Sequence, residues 1–161
     1  LLQDFPKLSV LMVGDGTLAS SLKVIGEKLG VDKNIQWLGF QDNVHNFIKA
    51  SDIMVIPSSA EGFGLVVLES WFHAKPVIAF DVPAINEIIE HEKDGLLIQP
   101  FSKPALIQAI KRLLLDKEKL SEYGKAGQIK QHTIYDIDNM TSNTLSILRA
   151  LHQNPSLDNS A

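Results

Sequence analysis

Up to residue 98, five short apolar runs alternate with segments of helical spacing. The runs are Ser9–Val13, Ile35–Leu38, Ile53–Ile56, Val77–Phe80 and Leu96–Ile98. None shows the apolar–polar alternation of a strand with one wet face, so each is expected to be covered on both faces. Strands of that kind, separated by helices, predict a doubly wound parallel α/β sheet of Rossmann-like form. In such sheets ligands bind outside the carboxyl ends of the strands. The loops of interest are therefore Gly14-Asp15-Gly16, Gly39-Phe40, Ser58 to Gly64 and Asp81 to Ala84.

The intervening segments carry start and stop signals. Thr17 is expected to cap a helix with Leu18, Leu22, Ile25 and Leu29 at helical spacing, which Gly30 ends. Asp42 or Asn43 starts a short helix bearing Val44, Phe47 and Ile48. Leu65 to Ala74 is apolar nearly all round and is expected to be buried. Ala84 to His91 is a short helix, and Ser102 caps a helix from Lys103 to about Asp116. Beyond Lys117 the pattern is helical only, weakened by Gly124 and Gly127, with a last helix over Asp138 to His152. The chain thus reads as one domain over 1–152 and a flexible polar tail over 153–161.

Composition limits the function. With 161 residues, a net charge of −4 and 21% charged residues, the chain lacks the basic surface that nucleic acid selects, and no such partner is expected. No apolar run is long enough to span a membrane. There are no cysteines, which excludes disulfides and thiolate metal sites and suits a reducing, cytoplasmic location. The chain opens on Leu1 without a signal peptide and reads as part of a longer protein.

The stretch from Glu61 to Glu69 carries the most chemical information. Gly62 and Gly64 lie just before a helix, where the backbone can approach a ligand and the free N–H groups and dipole favour an anion such as a diphosphate. A Gly-x-Gly at a helix start also serves as a plain tight turn. Glu69 lies among Leu65, Val66, Leu68 and Phe72, so its carboxylate needs either a ligand or an internal cation. A ribose fits, because carboxylate oxygens accept from vicinal hydroxyls. Glu61 at the loop mouth is placed for a sugar, or is simply a solvated charge. His73 reads as a packing residue at a helix end rather than a base, and His45, His91, His132 and His152 show no spacing that suggests a site. Among the aromatic residues only Phe40, on a loop, is a candidate for stacking a base.

The ordered motifs Ser58-x-x-Glu61-Gly62-Phe63-Gly64-Leu65-x-x-Leu68-Glu69-Ser70, Lys75-Pro76-Val77-Ile78-Ala79 and Pro83-x-x-x-Glu87-Ile88-Ile89 resemble glycosyltransferase family 4 of the GT-B fold. Val13-Gly14-Asp15-Gly16, Leu38-Gly39-Phe40 and Asp94-Gly95-Leu96-Leu97 extend the resemblance over about residues 8 to 116. It implies the C-terminal, donor-binding half of a GT-B enzyme, truncated on its N-terminal side. Such enzymes transfer a hexose from a UDP- or GDP-sugar with retention of configuration, without a bound metal or other cofactor.

By resemblance, Glu61 is the catalytic position at the transferred sugar and Glu69 holds the ribose. Gly62, Phe63, Gly64 and Leu65 offer amides to the diphosphate, Gly14 and Gly16 open the cleft, and Gly39 and Phe40 lie near the base. The resemblance further implies a glycan or lipid-linked acceptor bound by an N-terminal domain, a polysaccharide or lipopolysaccharide pathway, and peripheral membrane association. An Arg and a Lys that share the phosphate charge in the family lie upstream of the matched stretch. The sequence departs from the family pattern at Ala74 and Ala84, where glycine is usual, and at Trp71-Phe72-His73, where small residues are usual. Other readings on this architecture are a sugar-nucleotide epimerase, a glycogen or sucrose synthase relative, and a non-catalytic α/β binding module. A dehydrogenase would need a third glycine after Gly14-Asp15-Gly16.

Overall fold

The computed structural model describes residues 1–153. The 153–161 tail expected from the sequence lies outside these residues except for Gln153, which ends a helix. Strands β1 (Val10–Val13), β2 (Ile35–Gly39), β3 (Met54–Ile56), β4 (Val77–Phe80) and β5 (Gly95–Ile98) alternate with helices α1 (Ala19–Lys28), α2 (His45–Ala50), α3 (Leu65–Phe72) and α4 (Ile85–Ile88). Three helices follow: α5 (Lys103–Leu115), α6 (Lys117–Ile134) and α7 (Ile137–Gln153). Every strand pair is parallel, as the unbroken apolar runs predict.

The strands do not form one sheet. They divide into a pair, β1-β2, and a triplet, β3-β4-β5. Apolar continuity specifies coverage, not which neighbour a strand pairs with, and among the described residues β3 is hydrogen-bonded only to β4. The central strand β4 is buried at every residue, whereas Val10, Met12 and Val13 of β1 are 40%, 39% and 40% exposed. The expectation of a buried first strand is therefore corrected. Among the described residues β1 is paired along one edge alone, and adjacent residues pointing to opposite faces are both wet. The apolar stripe of α1 is likewise uncovered, with Leu18, Leu22, Ile25 and Leu29 exposed. Thr17 does not cap α1; its N-cap position is Leu18, with no side-chain bond.

The triplet carries the core on both faces. Val77 and Ala79 face Val67, Trp71, Ile85 and Ile88 of α3 and α4. Ile78 and Leu96 face Ala109 and Leu113 of α5 and Tyr123 of α6. Ser102 caps α5, its Oγ accepting from the Ala105 N–H at 3.3 Å. α6 runs unbroken through Gly124 and Gly127. A Cβ on Gly124 would overlap the Ala74 carbonyl, and one on Gly127 would overlap the Trp71 indole. The two glycines let α6 lie directly on α3, packing set against their poor helix propensity of about 1 kcal/mol each.

A buried polar knot joins α6 to the triplet. Asp94, 4% exposed, accepts from the Glu90 N–H at 2.8 Å and from Lys130 Nζ at 2.7 Å. Lys130 also donates to the Ile88 carbonyl at 2.6 Å and lies over the Trp71 ring, whose Nε1 donates to the Asp94 carbonyl at 3.1 Å. Every member of this knot has a partner, the condition under which a buried charge is tolerated.

Candidate functional site

The loop from Ser58 to Gly64 leaves the carboxyl end of β3 and enters α3. Gly64 has φ 93°, in the left-handed region, and a Cβ there would stand 2.7 Å from Ile85 Cδ1 of α4. Both facts require glycine. The turn leaves a run of backbone donors open: among the described residues, the N–H groups of Gly62, Phe63, Gly64, Leu65 and Val66 have no intramolecular acceptor, and Val67 is the first to bond, to the Gly64 carbonyl at 2.9 Å. Nothing plugs the tip at Gly62, where an added Cβ would meet no atom within 4 Å. Five adjacent free donors at a helix start suit an anion.

Glu69 stands one turn below Leu65 on the same helix face, and helical side chains lean toward the N-terminus, so its carboxylate leans toward the open amides. It is half-buried, and among the described residues it has neither an ion pair nor a hydrogen bond. No internal cation meets its carboxylate there. Glu61, also half-buried, is equally unpaired.

The other expected positions fall at strand ends of the same sense. Gly14, with φ 117°, donates its N–H to the Gly39 carbonyl at 2.8 Å, which brings the Gly14–Gly16 and Gly39–Phe40 loops together. A Cβ on Gly16 would meet nothing within 4 Å, and the Phe40 ring is 74% exposed beside them. After β4, Ala84 has φ 68°, and after α3, Ala74 has φ 52°. Both alanines occupy conformations that favour glycine, at a cost of about 1 kcal/mol or more at each. A cavity of about 460 Å³ lined by Leu8, Val10, Val31, Ile35 and Ile107 opens at the amino ends of β1 and β2, away from all these loops.

Three features escaped the sequence. His73 Nε2 lies 3.0 Å from His45 Nδ1, linking α3 to α2 across 28 positions. Burial, then the neighbouring His45, Lys49 and Lys75, hold the His73 imidazole below its ordinary pKa, so it resists protonation. Phe72, expected inside, is 49% exposed and packs edge-on to His45, His73 and His132. Tyr135, at the end of α6, meets the Phe63 ring edge-on, with centroids 6.2 Å apart. No spacing relates it to the loop; the α6–α3 packing through Gly127 brings it there. Trp71 is core, as expected, and Trp37 lies beneath Lys23 Nζ at 6.0 Å. No group of three or more potential metal ligands converges among the described residues.

Helices on both faces of parallel strands, with a glycine-opened, amide-lined helix tip at the strand carboxyl ends, define a domain of the doubly wound α/β class. The profile of the family described as glycosyl transferases group 1 matches residues 1–130, and the chain belongs to that family. The chain is 34% identical over 116 residues to the lipopolysaccharide core biosynthesis glycosyltransferase LpsD of Rhizobium meliloti, covering 70% of this chain and 34% of that protein. It is 28% identical to the C-terminal domain of the group 1 glycosyl transferase LpcC from Francisella tularensis, with a TM-score of 0.77, covering 84% of this chain and 74% of that one. It superposes on Anabaena HepE, solved in complex with UDP, with a TM-score of 0.86 at 24% identity, covering 91% of this chain and 42% of that one. The GT-B C-terminal-domain fold follows from these likenesses, and the chain spans about a third of the curated relatives it matches.

Proposed function

We propose that this chain is the donor-binding part of a retaining glycosyltransferase that takes a hexose from a UDP- or GDP-sugar without a bound metal. The observation that carries the reading is the run of five open amides from Gly62 to Val66. Departure of the nucleoside diphosphate places charge on its β-phosphate oxygen, and amides already aimed outward stabilise that charge without reorganising. Glu69 accepts from the ribose hydroxyls, Glu61 engages the transferred sugar at the reaction centre, and the Gly14–Gly16 and Gly39–Phe40 loops line the cleft toward sugar and base.

The acceptor is a glycan or lipid-linked sugar in polysaccharide or lipopolysaccharide assembly, held by an N-terminal domain of the full-length enzyme. That protein works in the cytoplasm, with its acceptor side at the membrane surface; no helix among the described residues is long and apolar enough to cross a membrane. The cationic share of phosphate stabilisation also comes from residues outside this chain. The unpaired, apolar edge of β1 and the break between the two sheets support the view that further chain completes the domain.

By itself the chain is expected to bind UDP or GDP with a Kd of about 0.1–1 mM, or about −5.5 to −4 kcal/mol, and to turn over no donor. Calorimetric titration checks this. Glu69→Ala removes hydrogen bonds to a charged acceptor and is expected to weaken binding about tenfold or more. Equal affinity in the variant and parent would take Glu69 out of the ribose role.

A further inference from the structure

The 61–64 loop has no regular hydrogen bonding of its own, yet its amides can serve a diphosphate only if their directions are fixed. Two contacts fix them. On the α4 side, Ile85 presses against Gly64. On the α6 side, the half-exposed Phe63 ring meets the edge of Tyr135, at 6.2 Å between centroids and 74° between planes. Tyr135 is itself anchored: its N–H donates to the Gln131 carbonyl at 3.1 Å, and its ring packs on the core cluster that contains Val67, Trp71, Ile85 and Ile88. Its hydroxyl makes no hydrogen bond among the described residues, so the ring alone does the holding. A loop aromatic that would otherwise swing in water is thus pinned to the protein core beside the open amides.

We propose that Tyr135 is a positioning residue for the nucleotide-diphosphate site, fixing the Phe63 and Gly64 amides by holding the Phe63 ring. The identity of the ligand rests on the reading given above; the mechanical role of Tyr135 does not. An edge-to-face pair adds about 0.5–1.5 kcal/mol beyond burial, which corresponds to about two- to tenfold in affinity if it is spent on preorganisation.

The test pairs UDP titration calorimetry with backbone amide order parameters measured without nucleotide, on the parent chain, Tyr135→Ala, Tyr135→Leu, Tyr135→Phe, Phe63→Ala and the Phe63→Ala/Tyr135→Ala double variant. Tyr135→Leu keeps apolar volume in the core without a ring, so a folding defect in the alanine variant does not decide the result. Tyr135→Ala and Tyr135→Leu are expected to bind UDP about two- to tenfold more weakly, with the Phe63 and Gly64 order parameters falling below about 0.6. Tyr135→Phe keeps the parent's affinity and order, and the double variant binds no more weakly than Phe63→Ala. Unchanged order at Phe63 and Gly64 in Tyr135→Leu, or losses that simply add in the double variant, would overturn the proposal. Failure of the parent to bind UDP would remove the diphosphate reading, while the order parameters would still decide whether Tyr135 holds the loop.

Discussion

Lys130→Met is expected to lower the stability of the domain by about 3–5 kcal/mol, read as a fall in melting temperature on the order of 10 °C. The substitution keeps the apolar stem over Trp71 but strips the ammonium from Asp94, whose carboxylate is then buried with only the Glu90 N–H to meet it. An uncompensated buried charge costs far more than a broken surface pair, such as Lys119 with Glu122 on the exposed side of α6, which is worth about 0–1 kcal/mol. Adding Asp94→Asn removes the charge and keeps an oxygen for the Glu90 N–H, so the double variant is expected to recover most of the loss. The consequence reaches the site, because Lys130 also holds the Ile88 carbonyl of α4, the helix whose Ile85 braces Gly64. A Lys130→Met protein that melts like the parent would show that the knot is ornamental.

Gly127→Ala reverses the usual sign of a glycine-to-alanine change in a helix. On an open helix the substitution would gain about 1 kcal/mol. Here the new methyl overlaps the Trp71 indole, which is fully buried between β4 and α6 and has no room to retreat. Overpacking of this kind costs about 1–3 kcal/mol and occasionally more, and α6 must shift off α3 to relieve it. The net expectation is a loss of about 2 kcal/mol or more by chemical denaturation, together with a disturbed Phe63–Tyr135 contact at the far end of α6. Stabilisation by Gly127→Ala would mean that α6 does not lie against Trp71.

What could be read from the sequence divides along physical lines. Positions governed by local chemistry were legible: Ser102 as a cap, Gly30 as a stop, and Gly62 and Gly64 as an opening before α3. The run Val77–Phe80 gave a strand buried on both faces, because continuous apolarity reports coverage directly. Long-range partnership was not legible. Val10–Val13 has the same apolar signature as β4, yet among the described residues it pairs only with β2 and is exposed, which no residue of β1 encodes. Gly124 and Gly127 looked like weaknesses in α6 because propensity is local, while their purpose lies in Ala74 and Trp71, about fifty residues away. The candidate site was legible as motifs on separate loops; what they do not contain is Tyr135 or the His45–His73 link, both products of helix packing.

The central claim is that the open amides between Gly62 and Val66 receive the nucleotide diphosphate. Two-dimensional ¹H–¹⁵N spectra of the chain titrated with UDP test it residue by residue. The largest shifts are expected on the Gly62 to Val66 amides, with smaller ones at Gly14, Gly16 and Phe40. Saturable shifts confined to Leu8, Val31 and Ile107 around the cavity at the opposite strand ends, with residues 62 to 66 unmoved, would contradict it.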